Sequence, residues 1–297
     1  MVNTEQKDSY FYGNIELGRG SFDLPPILIG TIFYQGESIL DTKDSTIFNK
    51  EKAKKRINTQ KNIARKYKIP DLVEISGTTP ESIIKYLEFY LDNFEPPFIL
   101  GGSIDARLAG VEYLNERGVN PKEYVYNAVS NLKNKKELEI IKKYGIDSVV
   151  ILILGAQNMT STQRFAYVSN KQPPNDKNLI AGLQEIGVRR LWIDGGVIDL
   201  ESLVHILETQ KIISTSLNLP VGTAPTLFLF MYSSPKANIA FHTKFRKASV
   251  IFPATLFSNF IFYGAIEDSK ECISSAYQAV EFKNMLRSKK IDLFGEY

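Results

Sequence analysis

Short apolar runs alternate with amphipathic segments along most of this chain, a pattern that predicts strands followed by helices. The clearest strand is Ser148–Leu154, which is apolar on both faces, as is typical of a parallel sheet covered by helices. The other predicted strands are Pro26–Tyr34, Leu72–Ile75, Phe98–Leu100, Tyr124–Val129, Arg190–Asp194 and Pro220–Thr223. For the last strand two runs compete, Ala248–Phe252 and Phe260–Tyr263.

Segments with helical periodicity separate these runs. They lie near Asn49–Tyr67, after Thr78, through Leu108 and Leu114, near Lys136–Tyr144, before Gly187, and at Leu200–Leu217 and Glu267–Met285. In the second helix, Thr78 is the predicted N-cap, with Glu81 at the capping-box spacing. The polar segment Asn158–Asp176 is predicted to be a long loop.

The strand-helix alternation predicts a single (β/α)8 barrel that spans residues 1–297 as one domain. An open, doubly wound sheet is the alternative. Glycine spacing of the type G-x-G-x-x-G does not follow the first strand, which argues against a dinucleotide site.

The composition of the chain argues against several classes of partner and site. The chain has 297 residues, 43% of them hydrophobic, and a net charge of +3, without the clustered basic face of a nucleic-acid-binding protein. One cysteine and two histidines argue against a disulfide framework and a zinc site, and fit a reducing compartment. Since no signal peptide or membrane-spanning segment is visible, we expect a cytoplasmic protein without direct membrane insertion, whose membrane association would come through a partner.

Candidate chemistry follows from the fold, because a (β/α)8 barrel carries its active site at the carboxyl ends of its strands. Polar residues at or just after the apolar runs are Glu74, Asn127, Gln157, Asn158 and Asp194, with Gly101–Ser103 at the third strand end. Gly195 follows Asp194 and permits close approach of the backbone to a ligand. Such amide and carboxylate groups at one mouth suit a planar heterocycle with donor and acceptor edges.

Each candidate also has a plain structural interpretation. Any of these side chains can cap a turn or bind loop backbone, and Glu74 can equally be the buried partner of an arginine or lysine.

The sequence resembles a known family, the H subunit of tetrahydromethanopterin S-methyltransferase, with related methyltransferases that pass methyl groups from corrinoid proteins to tetrahydrofolate. The matching segments fall in order along nearly the whole chain. They are Pro26–Gly36, Ile47–Lys50, Ile84–Phe89, Pro97–Leu100, Tyr126–Asn127, Val150–Leu152, Ile193–Asp199, Gly222–Pro225 and Phe262–Gly264.

The resemblance implies a pterin-binding (β/α)8 barrel, usually dimeric, in which a tetrahydropterin is the methyl carrier. It also implies a corrinoid protein that supplies the cobamide, and membrane-complex subunits as further partners. By position, Asn127 and Asp194 match the residues that hold the pterin ring and are the expected catalytic residues. Glu74, Gln157, Asn158 and Gly195 are expected to contribute to substrate binding.

Three departures separate this sequence from the family pattern. Glu74 stands where an aspartate is usual, Gly101 or Gly102 stands where the third strand supplies an aspartate, and Leu227 replaces an asparagine. Two alternatives to a pterin methyltransferase therefore stay open. One is a methyltransferase of the same fold with a different methyl carrier, and the other is a non-catalytic subunit that docks a corrinoid protein.

Overall fold

Two short strands, β1 (Ser9–Tyr12) and β2 (Ile15–Gly18), form an antiparallel hairpin near the start of the chain. The computed structural model describes residues 9–153, 159–170, 177–197, 199–226 and 239–291. Gly13 lies in the turn between the two strands with a φ of 60°, a conformation that glycine adopts at little cost. The hydrophobic pattern predicted no element before Pro26, so this hairpin was missed.

Eight parallel strands follow and form one closed barrel. They are β3 (Ile27–Ile32), β4 (Asp71–Gly77), β5 (Phe98–Gly102), β6 (Tyr124–Val129), β7 (Ser148–Leu152), β8 (Arg190–Asp194), β9 (Val221–Thr223) and β10 (Phe260–Ala265). Neighbours around the barrel are neighbours in the chain, and β10 closes the circle on β3. The predicted barrel is confirmed, and the alternative of an open sheet is wrong.

Helices cover the outer face of the barrel. They are α1 (Lys50–Tyr67), α2 (Pro80–Asn93), α3 (Ile104–Glu116), α4 (Lys135–Lys143), α5 (Ser161–Ser169), α6 (Leu179–Glu185), α7 (Leu200–Leu217), α8 (Ile239–Leu256) and α9 (Ser269–Ser288). Single turns of 3-10 helix span Pro121–Glu123 and Ile266–Asp268. Ala53 and Ile57 of α1 belong to the same buried cluster as Val73 and Ile75 of β4. This helix-sheet layer explains why the strands are apolar on both faces.

Three local predictions are corrected by the structure. The N-cap of α2 is Thr79, not Thr78, and its capping box is completed by Ser82. The segment predicted as a loop contains α5, whose apolar residues are the consecutive run Phe165–Val168 and so do not show helical spacing. Of the two runs that competed for the last strand, Phe260–Tyr263 lies in β10 and Ala248–Phe252 lies in α8.

The barrel interior holds a second apolar cluster, to which most strands contribute. Its buried members are Tyr12, Leu17, Ile27, Ile29, Leu72, Ile99, Val125, Val150, Trp192, Phe260 and Phe262. Successive side chains of a strand point to opposite faces, so the residue two positions further along each strand also faces inward. This register decides which polar residues reach the carboxyl mouth.

The hairpin closes the amino end of the barrel. The hydroxyl of Tyr12 donates to Ser148, the first residue of β7, at 2.9 Å and accepts from the indole N–H of Trp192 at 2.8 Å. The guanidinium of Arg190 lies 4.2 Å from the centre of the Tyr12 ring and donates to the Phe11 carbonyl at 2.9 Å. Side chains of the hairpin and of the strand starts therefore fill the amino end of the barrel.

None of the helices in the described ranges combines the length and apolar composition that crossing a bilayer requires. The prediction that residues 1–297 form one domain stays a prediction, because both ends of the chain lie outside the described residues.

Candidate active site

Within the described residues, the inward register places four polar residues at the carboxyl mouth. Thr31, Glu74, Asn127 and Asp194 each lie two positions beyond an interior apolar residue on β3, β4, β6 and β8. Gly101 occupies the equivalent position on β5. The fold thus brings together three of the residues that were selected from the sequence, from strands far apart in the chain.

Glu74 lies at the centre of this arrangement and is only 8% exposed. Its Oε2 accepts a hydrogen bond from Thr31 Oγ1 at 2.6 Å, and its Oε1 accepts one from Asn127 Nδ2 at 2.6 Å. Burial raises the pKa of the Glu74 carboxyl, and the two hydrogen bonds oppose that rise. Both hydrogen-bond partners of Glu74 are neutral. Arg107 influences the Glu74 carboxyl through its charge but makes no salt bridge to it in the described contacts, so these contacts do not support the alternative of Glu74 as the partner of an arginine or lysine.

Asp194 ends β8 and is 5% exposed. Its Oδ1 accepts a hydrogen bond from the backbone N–H of Gly196 at 2.9 Å. Burial raises the pKa of this carboxyl to about 7, the Gly196 hydrogen bond opposes the rise, and the charge of Glu74 adds to it. At neutral pH, Asp194 therefore exists in both protonation states and can accept or donate a hydrogen bond.

Gly195 does not contribute a free backbone N–H to the mouth. Its N–H donates to the Gly222 carbonyl at 3.0 Å, and its own carbonyl accepts from Arg164 at 2.6 Å. A Cβ at position 195 would lie 3.1 Å from Ile206 of α7, so the glycine makes room for a helix. The role of Gly195 in substrate binding stays a prediction. Its carbonyl oxygen has one lone pair left that could accept a hydrogen bond from a ligand.

Buried arginines behind the mouth fix the strand ends. Arg107 of α3 donates to the carbonyls of Gly102 at 2.5 Å and Ala128 at 3.1 Å, and it pairs with Glu137 at 2.8 Å. The hydroxyl of Tyr126 donates to the same Glu137 oxygen at 2.6 Å. This network ties the ends of β5 and β6, which carry Gly101 and Asn127, to α3 and α4.

Arg164 binds backbone carbonyls at the end of β8 in the same way. It is fully buried on α5, and besides Gly195 it donates to the carbonyl of Gly196 at 3.1 Å. Neither arginine was selected from the sequence. Arg107 occupies the apolar face of a predicted helix, which is a sequence signal for a buried arginine, whereas the sequence pattern predicts a loop for the segment of Arg164.

Gln157, Asn158 and Leu227 lie outside the described residues. Within the described residues, groups of three or more His, Cys, Asp or Glu that could hold a metal ion are absent. The donor set at the mouth, two carboxyl groups, an amide and a hydroxyl, suits an organic heterocycle with N–H donors.

Comparison with known proteins gives the family. The family model described as "Tetrahydromethanopterin S-methyltransferase MtrH subunit" matches residues 8–291. The H subunit of tetrahydromethanopterin S-methyltransferase from Methanothermobacter thermautotrophicus is 27% identical over 261 residues, which cover 86% of this chain and 84% of that protein. Its counterpart from Methanothermobacter marburgensis is 30% identical over 210 residues, which cover 70% of this chain and 67% of that protein.

Among solved structures, dihydropteroate synthase from Xanthomonas albilineans in complex with 7,8-dihydropteroate superposes with a TM-score of 0.58 at 16% identity. The superposition covers 93% of this chain and 99% of the synthase chain. At that identity the likeness shows the fold alone. The match of the family model across the barrel shows that this chain belongs to the MtrH family, the H subunits of tetrahydromethanopterin S-methyltransferase.

Proposed function

We propose that this protein moves a methyl group between a tetrahydropterin and a corrinoid protein. The observation that carries the proposal is the convergence of Glu74, Asn127 and Asp194 on the carboxyl mouth of a barrel of this family. Relatives named as the H subunit of tetrahydromethanopterin S-methyltransferase match most of the chain, which supports a pterin as the methyl carrier.

The chemistry of the mouth fits the edge of a pterin ring. That edge presents amino and ring N–H donors beside a carbonyl acceptor. Glu74 is placed to accept such N–H groups, and Asn127 offers an amide that both donates and accepts. Asp194, with a pKa of about 7, can accept a ring N–H as carboxylate or donate as acid. Binding of the donor edge of the ring by Glu74 and Asn127 would turn the methyl-bearing nitrogen toward the Asp194 side of the mouth.

The reaction also needs control of a proton. When a methyl group leaves the pterin nitrogen, that nitrogen gains electron density, and a positioned acid stabilises it by about 10²–10⁴-fold in rate. Asp194 is our candidate for holding this proton, since its pKa lies close to neutral pH. The corrinoid of the partner protein supplies the cobalt centre that exchanges the methyl group. The homodimer and the membrane-complex subunits that the resemblance implies belong to the same proposal.

A different methyl carrier is the second candidate, and the replacement of the family asparagine by Leu227 favours it. An apolar side chain cannot hydrogen-bond to the reacting nitrogen. A pterin-binding measurement separates the two, because the second candidate predicts methyl transfer without pterin affinity.

The test is titration calorimetry with tetrahydromethanopterin and with tetrahydrofolate. We expect the wild type to bind one of them and Asp194→Ala to bind it roughly 5- to 150-fold more weakly, since a lost buried hydrogen bond costs about 1–3 kcal/mol. Asp92→Ala is the control, because Asp92 is an exposed partner of Arg117.

The absence of binding to both pterins in the folded wild type would contradict the proposal. In that case, the spectrum of methylcobalamin mixed with this chain and candidate methyl acceptors distinguishes the two remaining functions. Loss of the methyl group would indicate another methyl carrier, and an unchanged spectrum would indicate a docking subunit.

A further inference from the structure

We propose that Glu74 and Gly101 form a functional pair: the Glu74 side chain extends over β5 and presents its carboxylate at the β5 position of the mouth, and Gly101 provides the space. The role of the pair in pterin recognition rests on the proposed function. The steric relation between Glu74 and Gly101 rests on the geometry alone.

The hydrogen bonds of Glu74 show that its carboxylate lies over β5. Strand order at this side of the barrel is β3, β4, β5, β6. Glu74 belongs to β4, yet it accepts from Asn127 on β6 at 2.6 Å. Strands two places apart are separated by about 9–10 Å, so the side chains of Glu74 and Asn127 have to meet over β5 to make this contact.

The position that it passes over is Gly101. A Cβ built on Gly101 would overlap Oε1 of Glu74 and would lie 2.8 Å from its Cδ and 3.0 Å from its Cγ. All three nearest atoms belong to the Glu74 side chain. A residue with a side chain at 101 and the observed orientation of Glu74 therefore exclude each other.

The backbone does not explain this glycine. Gly101 has no positive φ, whereas its neighbour Gly102 has a φ of 105° and would bring a Cβ against the backbone of Gly77. Gly102 is thus required by conformation and packing, whereas the three atoms nearest to a Cβ at Gly101 all belong to Glu74.

The consequence concerns recognition at the mouth. An aspartate at position 74 is one methylene shorter and would not reach Asn127 across β5. With glutamate, one carboxylate bound by Thr31 and Asn127 serves the β5 side of the mouth. Two departures from the family pattern, Glu74 in place of aspartate and a glycine, Gly101 or Gly102, in place of the β5 aspartate, then compensate for each other.

The test is a reciprocal swap with two readouts. Four chains are compared by calorimetry with the pterin that the wild type binds: wild type, Glu74→Asp, Gly101→Asp, and the double variant Glu74→Asp/Gly101→Asp. We expect each single variant to lose at least tenfold in affinity and the double variant to return to within about threefold of the wild type. If the double variant loses affinity by the product of the two single-variant losses, the two residues act independently and the proposed pair is refuted.

The second readout needs no ligand. Gly101→Ala is introduced into the wild type and into the Glu74→Ala variant, and urea midpoints are measured. We expect Gly101→Ala to lower the midpoint in the wild type. In the Glu74→Ala background we expect it to leave the midpoint unchanged or raise it, because the overlap is gone and alanine restricts the unfolded chain. Equal shifts in both backgrounds would overturn the pair.

The two readouts separate failure of the pair from failure of the proposed function. Coupling of the urea midpoints in a protein that binds neither pterin would support the pair and refute its role in pterin recognition. Pterin binding without coupling in either readout would support the proposed function and refute the pair.

Discussion

Replacing Asp194 by asparagine should stabilise the protein at alkaline pH while it damages the site. The buried carboxyl has its pKa raised from an ordinary 3.8 to about 7, mainly by burial and further by the charge of Glu74. Asparagine has the same shape and keeps an oxygen that can accept the Gly196 N–H. The variant therefore removes the ionisation and leaves the packing unchanged.

The direction of the pH effect on stability follows from how tightly the folded and unfolded states bind the Asp194 proton. Because the folded state holds the Asp194 proton more tightly than the unfolded chain, stability is lost as pH rises from about 4 through the folded pKa near 7. At 1.36 kcal/mol per pKa unit, the penalty from the buried charge reaches on the order of 4 kcal/mol above pH 7. Between pH 5 and pH 8 the change amounts to about 2–3 kcal/mol.

The assay is urea unfolding of the wild type and of Asp194→Asn at pH 5 and pH 8. We expect the asparagine variant to gain about 2–3 kcal/mol more over the wild type at pH 8 than at pH 5. Asp92→Asn serves as the control and should show no such difference, because its carboxylate is exposed. A gain of the same size at both pH values would refute the buried, proton-binding state of Asp194.

Other predictions concern the groups that hold the barrel and its mouth in place. Tyr12→Phe should cost about 1–3 kcal/mol in urea unfolding, because the Trp192 N–H loses its acceptor inside the barrel; an unchanged midpoint would mean that the hairpin does not close the amino end in solution. Arg107→Met should cost about 3–5 kcal/mol, because Glu137 is left charged and buried. Adding Glu137→Leu should recover much of that loss, and a double variant as unstable as the single one would argue against the buried pair.

The structure of the site also explains how the mouth can present two buried carboxyl groups. Glu74 is held by neutral donors and Asp194 by a backbone N–H, so neither carboxyl is neutralised by a cation in direct contact among the described residues. Their pKa values are both raised, which allows one of them to keep a proton near neutral pH. A ligand that brings N–H donors to this mouth would favour the charged forms, so binding should release protons.

The sequence by itself determined the barrel and the strands that carry its site. Apolar runs such as Ser148–Leu152 identify buried parallel strands because helices cover their outer face and the interior core covers their inner face. The position of Asn127 within one such run and of Asp194 at the end of another places both near the carboxyl ends of their strands. These inferences need only neighbouring residues, which is why they could be made from the chain alone.

Only the tertiary structure decided what these residues touch. The contact of Glu74 with Asn127 over Gly101 depends on the order and stagger of three strands, which no local pattern encodes. In the same way, α5 is a helix whose buried Arg164 binds the loop after β8, a reason for burial that hydrophobic periodicity does not register. Local sequence indicates which residues end a strand, whereas the face on which a side chain lies and its partner are fixed by chain segments that meet only when the barrel closes.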